Sequence, residues 1–184
     1  MEPSIINRNQ VTDEFIGTEI ADPKFFRNNG CPRGAKCRWS DSNFSDGADN
    51  VSFTLGRIAK TTGANNGSLE IAGEFAITAK GTATVGQTAN KVGRTTGWTQ
   101  GTVSRTCANS GVSGTNIILL CQDFVDSTVQ IVAGGDSGSN VFRTNPDGSV
   151  TLLGVLWGGN TAGTQFVYSP IANVERELGA LTTH

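Results

Sequence analysis

Histidine is almost absent from this chain. The one residue of that kind, His184, is the last of 184. Any site inside the chain that needs two histidines is therefore excluded. Methionine is equally scarce, with Met1 alone. Charge is thin and nearly balanced: 14 Lys+Arg against 16 Asp+Glu give a net charge of −2. With no Lys/Arg block there is no electrostatic footprint for nucleic acid or an anionic membrane surface. No apolar run approaches the roughly 18 residues of a membrane-spanning helix; the longest is Ile117 to Cys121. The first twenty residues carry neither a basic stretch nor an apolar core, so no export signal is expected in this chain. There is no CxxC pair and no histidine near a cysteine, which leaves zinc little support. No metal or other cofactor is expected.

What the chain has in excess is glycine, 24 residues, well above the usual share. Four cysteines fall in two local pairs, and four cysteines allow three connectivities. The local pairs Cys31–Cys37 and Cys107–Cys121 are favoured, each closing a loop that contains Gly or Ser. Buried free thiols are the alternative. Paired cysteines imply an oxidising, extracellular location, which sits badly with a chain that has no export signal.

Short apolar or β-branched segments broken by Gly, Asn, Asp and Ser dominate the rest, the pattern of an antiparallel barrel or sandwich. Candidate strands are 15–20, 38–44, 51–58, 69–78, 89–95, 101–106, 116–124, 139–143, 150–157 and 165–168. Asn145-Pro146-Asp147-Gly148 reads as a hairpin turn, with Pro presetting φ and Gly supplying φ > 0. One helix is expected at the C-terminus. Ser169 would cap it, Pro170 would open it, and Ile171, Val174 and Leu178 would form its apolar stripe. Gly179 would end it.

The chemistry concentrates in Gly134-Gly135-Asp136-Ser137-Gly138-Ser139, just before Val141-Phe142. A serine in a glycine-rich turn entering a strand is how an acyl-transfer nucleophile can be built. Small neighbours admit a substrate carbonyl, and the N–H groups of Gly135 and Ser137 can converge on an oxyanion. Taken alone, the hexapeptide could equally be an ordinary turn.

Other segments fall in order around it. These residues resemble the GDSG nucleophile loop of chymotrypsin/trypsin-like serine peptidases of the bacterial secreted type. Lys91-Val92-Gly93-Arg94-Thr95-Thr96-Gly97-Trp98 resembles the strand that opens the second barrel of that family. Leu156-Trp157-Gly158-Gly159 resembles its substrate-binding strand, and Phe166 to Pro170 its last strand. Cys37 to Phe44 resembles the strand carrying its aspartate. The resemblance spans about residues 16–181. It implies an all-β fold: a chymotrypsin-like double antiparallel β-barrel with a C-terminal helix. It implies Ser137 as nucleophile, Gly135 and Ser137 as oxyanion-hole donors, and Asp41 as the carboxylate that orients the base. Asp46 is a weaker substitute for Asp41. Asp136 would be buried and paired with Arg94, shaping the oxyanion hole. The pocket for the side chain at the cleaved bond would be lined by Ile131, Leu156, Trp157 and Gly158. Its lack of charge points to an apolar or small side chain.

In the family's order a histidine precedes the aspartate, and residues 1–40 contain none. His184 is expected to be a solvated tail. Six candidate strands from Ala89 onward suffice for a complete second barrel over 86–184. Only four precede it, which leaves a partial, open first barrel over 1–85. The expectation is an N-terminally incomplete serine endopeptidase, inactive as it stands and extracellular in its full-length form. It would act on a peptide or protein, with a partner segment possible for the first barrel. The alternative is a pseudopeptidase serving as a protein- or peptide-binding module.

Overall fold

The computed structural model describes residues 4–8 and 13–183. His184 lies outside the described residues. The described residues fold into twelve strands and one helix: β1 (Ser4–Arg8), β2 (Asp13–Ala21), β3 (Lys36–Arg38), β4 (Phe44–Gly47), β5 (Arg57–Thr61), β6 (Ile71–Lys80), β7 (Thr88–Gly93), β8 (Gly97–Gly111), β9 (Ile117–Asp126), β10 (Asn140–Thr144), β11 (Val150–Gly159), β12 (Gln165–Pro170) and α1 (Ile171–Leu178). The all-β expectation with one terminal helix holds.

The second half is densely paired. Strands run in the order β10-β7-β8-β9-β12-β11-β6-β5, and β10 also pairs with β11, which closes the second-half strands on themselves. Closure leaves no free edge among them. Alternate residues point inward, so Val103, Val125, Val141, Leu153, Leu156, Phe166 and Tyr168 make one buried core. Phe142 and Val150 face the other way and pack with Ile58, Phe75 and Ile77 of the preceding hairpin. The first half is looser. The strands β1-β2-β4 form a separate three-stranded sheet, while β5–β6 attaches to the second half through a parallel pairing of β6 with β11. Hydrogen bonding thus crosses the expected boundary near residue 85. Among the described residues, nine of the ten large exposed apolar side chains, from Phe15 to Val85, belong to this half.

Local chemistry accounts for the details. Gly148 takes φ 84° and donates its N–H to Asn145 O, making the expected turn between β10 and β11. Gly179 ends α1 at φ 91° with its N–H on Glu175 O. The cap at the other end differs from expectation: Pro170 holds that position with no side-chain cap bond. The Ser169 hydroxyl is spent instead on Gln122. Both expected disulfides, Cys31–Cys37 and Cys107–Cys121, are formed. Residues 39–43, expected as strand, form an irregular turn between β3 and β4, and β5 begins at Arg57 rather than at Val51.

Candidate active site

The serine loop joins the end of a buried segment to β10. Asp136 N donates to Ala133 O at 3.1 Å, and Ser139 N to Asp136 O at 3.0 Å. Gly138 N donates to Leu156 O and Leu156 N to Ser139 O, tying the loop to β11. Gly135 takes φ 98°, and a Cβ there would also meet Thr95 Oγ1 at 2.6 Å. Only glycine suits that position. Among the described residues, the N–H groups of Gly135 and Ser137 donate to no internal acceptor. Ser137 is exposed at the loop tip, and its Oγ lies 3.3 Å from Trp157 O, to which it can donate.

Asp136 is fully buried, and its carboxylate takes five donors. Oδ1 accepts from Thr95 N at 2.9 Å and Thr96 N at 3.1 Å. Oδ2 accepts from Thr96 Oγ1 at 2.7 Å, Ala133 N at 3.0 Å and Lys91 Nζ at 3.1 Å. Burial alone would raise its pKa. The Thr96 hydroxyl, the Thr95 amide, the Lys91 charge and the Ala133 amide outweigh that and hold it below the usual carboxylate range.

The cation is therefore Lys91 and not Arg94, which corrects the expected Arg94–Asp136 pair. Lys91 and Asp136 are both 0% exposed. The reason is strand geometry. Lys91 and Gly93 share one face of β7, and that face is against Asp136. A Cβ on Gly93 would collide with the Asp136 carboxylate. Arg94 lies beyond the strand, at the tip of the hairpin that Gly93 and Gly97 close, and is exposed. Burial lowers the Lys91 pKa, and the Asp136 charge opposes that shift.

Asp41 and Ser137 line one cavity of about 450 Å³, together with Asp22, Arg38, Leu156 and Trp157. Asp41 opens to this space while its walls desolvate the carboxyl. Desolvation raises its pKa, the Arg38 charge opposes that, and Asp22 adds to it. Arg38, which the sequence reading passed over, is buried. It donates to Asp22 Oδ1 at 2.8 Å and Ser42 O at 2.5 Å, and its Nε is 3.8 Å from Glu177. Asp46, the weaker substitute, is opposite Thr18 on β4 and lines a different, apolar cavity with Ile16, Phe53 and Leu55.

A second cavity of about 410 Å³ shares Ser137 and Leu156 with the first. Gln130, Val132, Gly158 and Asn160 contribute to its walls, and no charged residue does. Leu156 and Gly158 thus line this cavity, and Trp157 lines the first. Ile131 is a correction: it is 0% exposed within the core, and its neighbours Gln130 and Val132 line the cavity in its place. A cavity of about 470 Å³ lined by Asn65, Gln100 and Asp126 shares no residue with either.

No protein-family model matches the chain, and no curated protein does. Solved structures do. A Cellulomonas bogoriensis chymotrypsin is similar at 21% identity and TM-score 0.57, covering 91% of this chain and 76% of its own. The fold is chymotrypsin-like. Thermobifida fusca protease A shares this chymotrypsin-like fold at 20% identity and TM-score 0.61, over 92% of this chain and 80% of its own. A Nocardiopsis protease matches at 18% identity and TM-score 0.57, over 95% and 87%. The cavity shared by Asp41 and Ser137 is lined from both parts of the chain, by Asp22 and Arg38 on one side and Leu156 and Trp157 on the other.

Proposed function

We propose that this cleft is the acyl-transfer site of a serine endopeptidase and that the described residues hold every part of it except the general base. The observation that carries this reading is the single cavity shared by the Ser137 hydroxyl and the Asp41 carboxylate. Ser137 Oγ would attack the scissile carbonyl. Gly135 N–H and Ser137 N–H, free of internal acceptors, would hold the oxyanion, and the Lys91–Asp136 pair keeps their loop in place. Attack needs a group to take the serine proton and later return it to the leaving amine. The acceptor nearest Ser137 Oγ is the Trp157 carbonyl, which cannot do this. An imidazole between Ser137 and Asp41 could, with Asp41 accepting from its second nitrogen.

The base would then come from a further polypeptide segment, which would also complete the first barrel. The exposed apolar side chains of the first half, with the apolar cavity of about 270 Å³ at Phe53 and Leu55, support such a segment. On this reading residues 1–85 contribute to one barrel and 86–184 to the other. The two disulfides fit an extracellular enzyme. The competing reading, a binding module, uses the same cleft without turnover. Fluorophosphonate labelling in concentrated imidazole separates them. Labelling at Ser137 that rises with imidazole supports the enzyme. Peptide binding with Ser137 inert at every imidazole concentration supports the binding module.

The uncharged walls beside Ser137 give a further expectation. A charged side chain at the cleaved bond would be desolvated there without a partner, at a cost of about 3 kcal/mol, or roughly 100-fold. Peptides ending in Leu or Gln should therefore bind about 100-fold more tightly than those ending in Lys or Glu. Fluorescence titration measures this, and equal affinities would contradict the assignment of the pocket.

A further inference from the structure

We propose that Gln122 is a positioning residue that fixes the Asp41 segment and the Trp157 wall of the cleft relative to each other. This rests on the reading of the cleft as an acyl-transfer site. Gln122 is 0% exposed in β9, directly after the apolar run Ile117 to Cys121 and ahead of Phe124 and Val125. A buried amide among such residues is costly unless all its polar atoms are bonded. Here they are. Oε1 accepts from Trp157 Nε1 at 2.9 Å and from Ser169 Oγ at 2.9 Å. Nε2 donates to Trp39 O at 2.8 Å and to Leu120 O at 2.7 Å.

The orientation of the amide is determined by its partners. An indole N–H only donates and carbonyls only accept, so oxygen and nitrogen cannot be exchanged. Ser169 has one hydroxyl proton, and it goes to Gln122. Its oxygen is then left to accept from Asp41 N at 3.0 Å. One side chain thus reaches Trp157 on β11, Trp39 directly, and Asp41 through Ser169 on β12.

The need for this device comes from the backbone. Residues 39–43 lie between β3 and β4 and have no strand partner, so no ladder fixes Asp41. Side chains substitute for it. Glu177 of α1 accepts from Trp39 N at 2.8 Å, Ser40 N at 3.0 Å and Ser40 Oγ at 2.6 Å. Glu177 holds the segment from the helix side only. Gln122 also holds the wall that faces Ser137, whose own Oγ lies against Trp157 O. A shift of either side changes the distance that a base must bridge, and misplacement of that kind is expensive in rate.

Hydrogen exchange on the folded chain tests this without turnover, by following Asp41 N–H and Trp157 Nε1–H. Gln122→Leu should speed exchange at both sites by about tenfold or more. Ser169→Ala, which leaves the Trp157 bond intact, should release Asp41 N–H only. Val125→Ala, a core change in the same strand, should leave both sites protected relative to its own global stability. The proposal is overturned if Gln122→Leu folds with both sites protected, or if Ser169→Ala leaves Asp41 N–H unchanged. Should Gln122→Leu fail to fold, Ser169→Ala decides alone. Imidazole-dependent labelling of Ser137 should fall about tenfold in both variants relative to Val125→Ala. If the exchange pattern holds while wild-type Ser137 stays inert, the link stands and the acyl-transfer reading is what fails.

Discussion

Lys91→Met is expected to cost the fold about 3–5 kcal/mol, because it leaves a buried carboxylate without its cation. Lys91 and Asp136 are both 0% exposed, so solvent cannot screen the loss. For a chain of this length that lowers the melting temperature by about 6–20 °C. The double variant Lys91→Met/Asp136→Asn should recover a large part of this, since the stranded charge is removed with its partner. Arg94→Ala should change stability by less than about 0.5 kcal/mol, as is usual for an exposed residue. Thermal unfolding of the four proteins checks the assignment, and an Arg94→Ala loss larger than the Lys91→Met loss would reverse it. The same carboxylate sets an acid limit. Its folded-state pKa is depressed, so the folded chain takes up the proton at lower pH than the unfolded chain does. The stability it contributes is complete above the unfolded value, about 3.9, and is lost as pH falls through the folded value. Urea unfolding between pH 2 and 6 should show that fall in the wild type and a smaller one in Asp136→Asn, where Glu175 and Asp147 still titrate below the usual range.

How much of this could be read in advance depended on the kind of signal. The strands of the second half were legible because each pairs with a neighbour and buries alternate residues. Val103, Val125 and Val141 announce themselves by period and β-branching. The serine loop was legible because glycines and an aspartate crowd one serine. Lys91 was not. In Lys91-Val92-Gly93-Arg94 two cations stand three apart, and only the hairpin register says which one lies under Asp136. Knowing that β7 ends at Gly93 would have decided it, and strand ends are the weakest part of a sequence reading. Ile131 is illegible for another reason: residues 127–133 form an irregular loop between β9 and the serine turn, with no fixed side-chain period to count along. Gln122 carried a usable signal, a lone amide in an apolar strand. Its partners Trp39, Trp157 and Ser169 are scattered along the chain, and no local pattern points to them. The looseness of the first half follows from its residues as well. Phe15, Phe44, Phe53 and Leu55 are the right kind for a core, yet they remain exposed among the described residues.

The chain alone is expected to hydrolyse a neutral peptide substrate about 10⁶-fold more slowly than a complete triad enzyme would, retaining only the roughly 10³–10⁴-fold over water that an oxyanion hole and binding supply. The deficit comes down to one proton. At neutral pH Ser137 is a hydroxyl, and its weak nucleophilicity is relieved only if a base takes that proton as the bond forms. Asp41 is a poor candidate for direct transfer. The Ser137 hydroxyl lies on Trp157 O, and among the described residues it makes no hydrogen bond to the Asp41 carboxylate. The remaining parts work without the base, so supplying one from solution should restore a portion of the rate. Labelling of Ser137 by a fluorophosphonate should rise in proportion to imidazole concentration and follow the fraction of imidazole that is neutral, increasing through pH 6–8. Asp41→Asn should weaken that dependence by reducing the stabilisation of the charged imidazole. Ser137→Ala should abolish labelling outright while leaving the melting temperature within about 2 °C, since the residue is exposed and makes one long bond. Full-rate labelling in imidazole-free buffer would mean that a base already stands beside Ser137. Labelling that survives Ser137→Ala would place the nucleophile elsewhere.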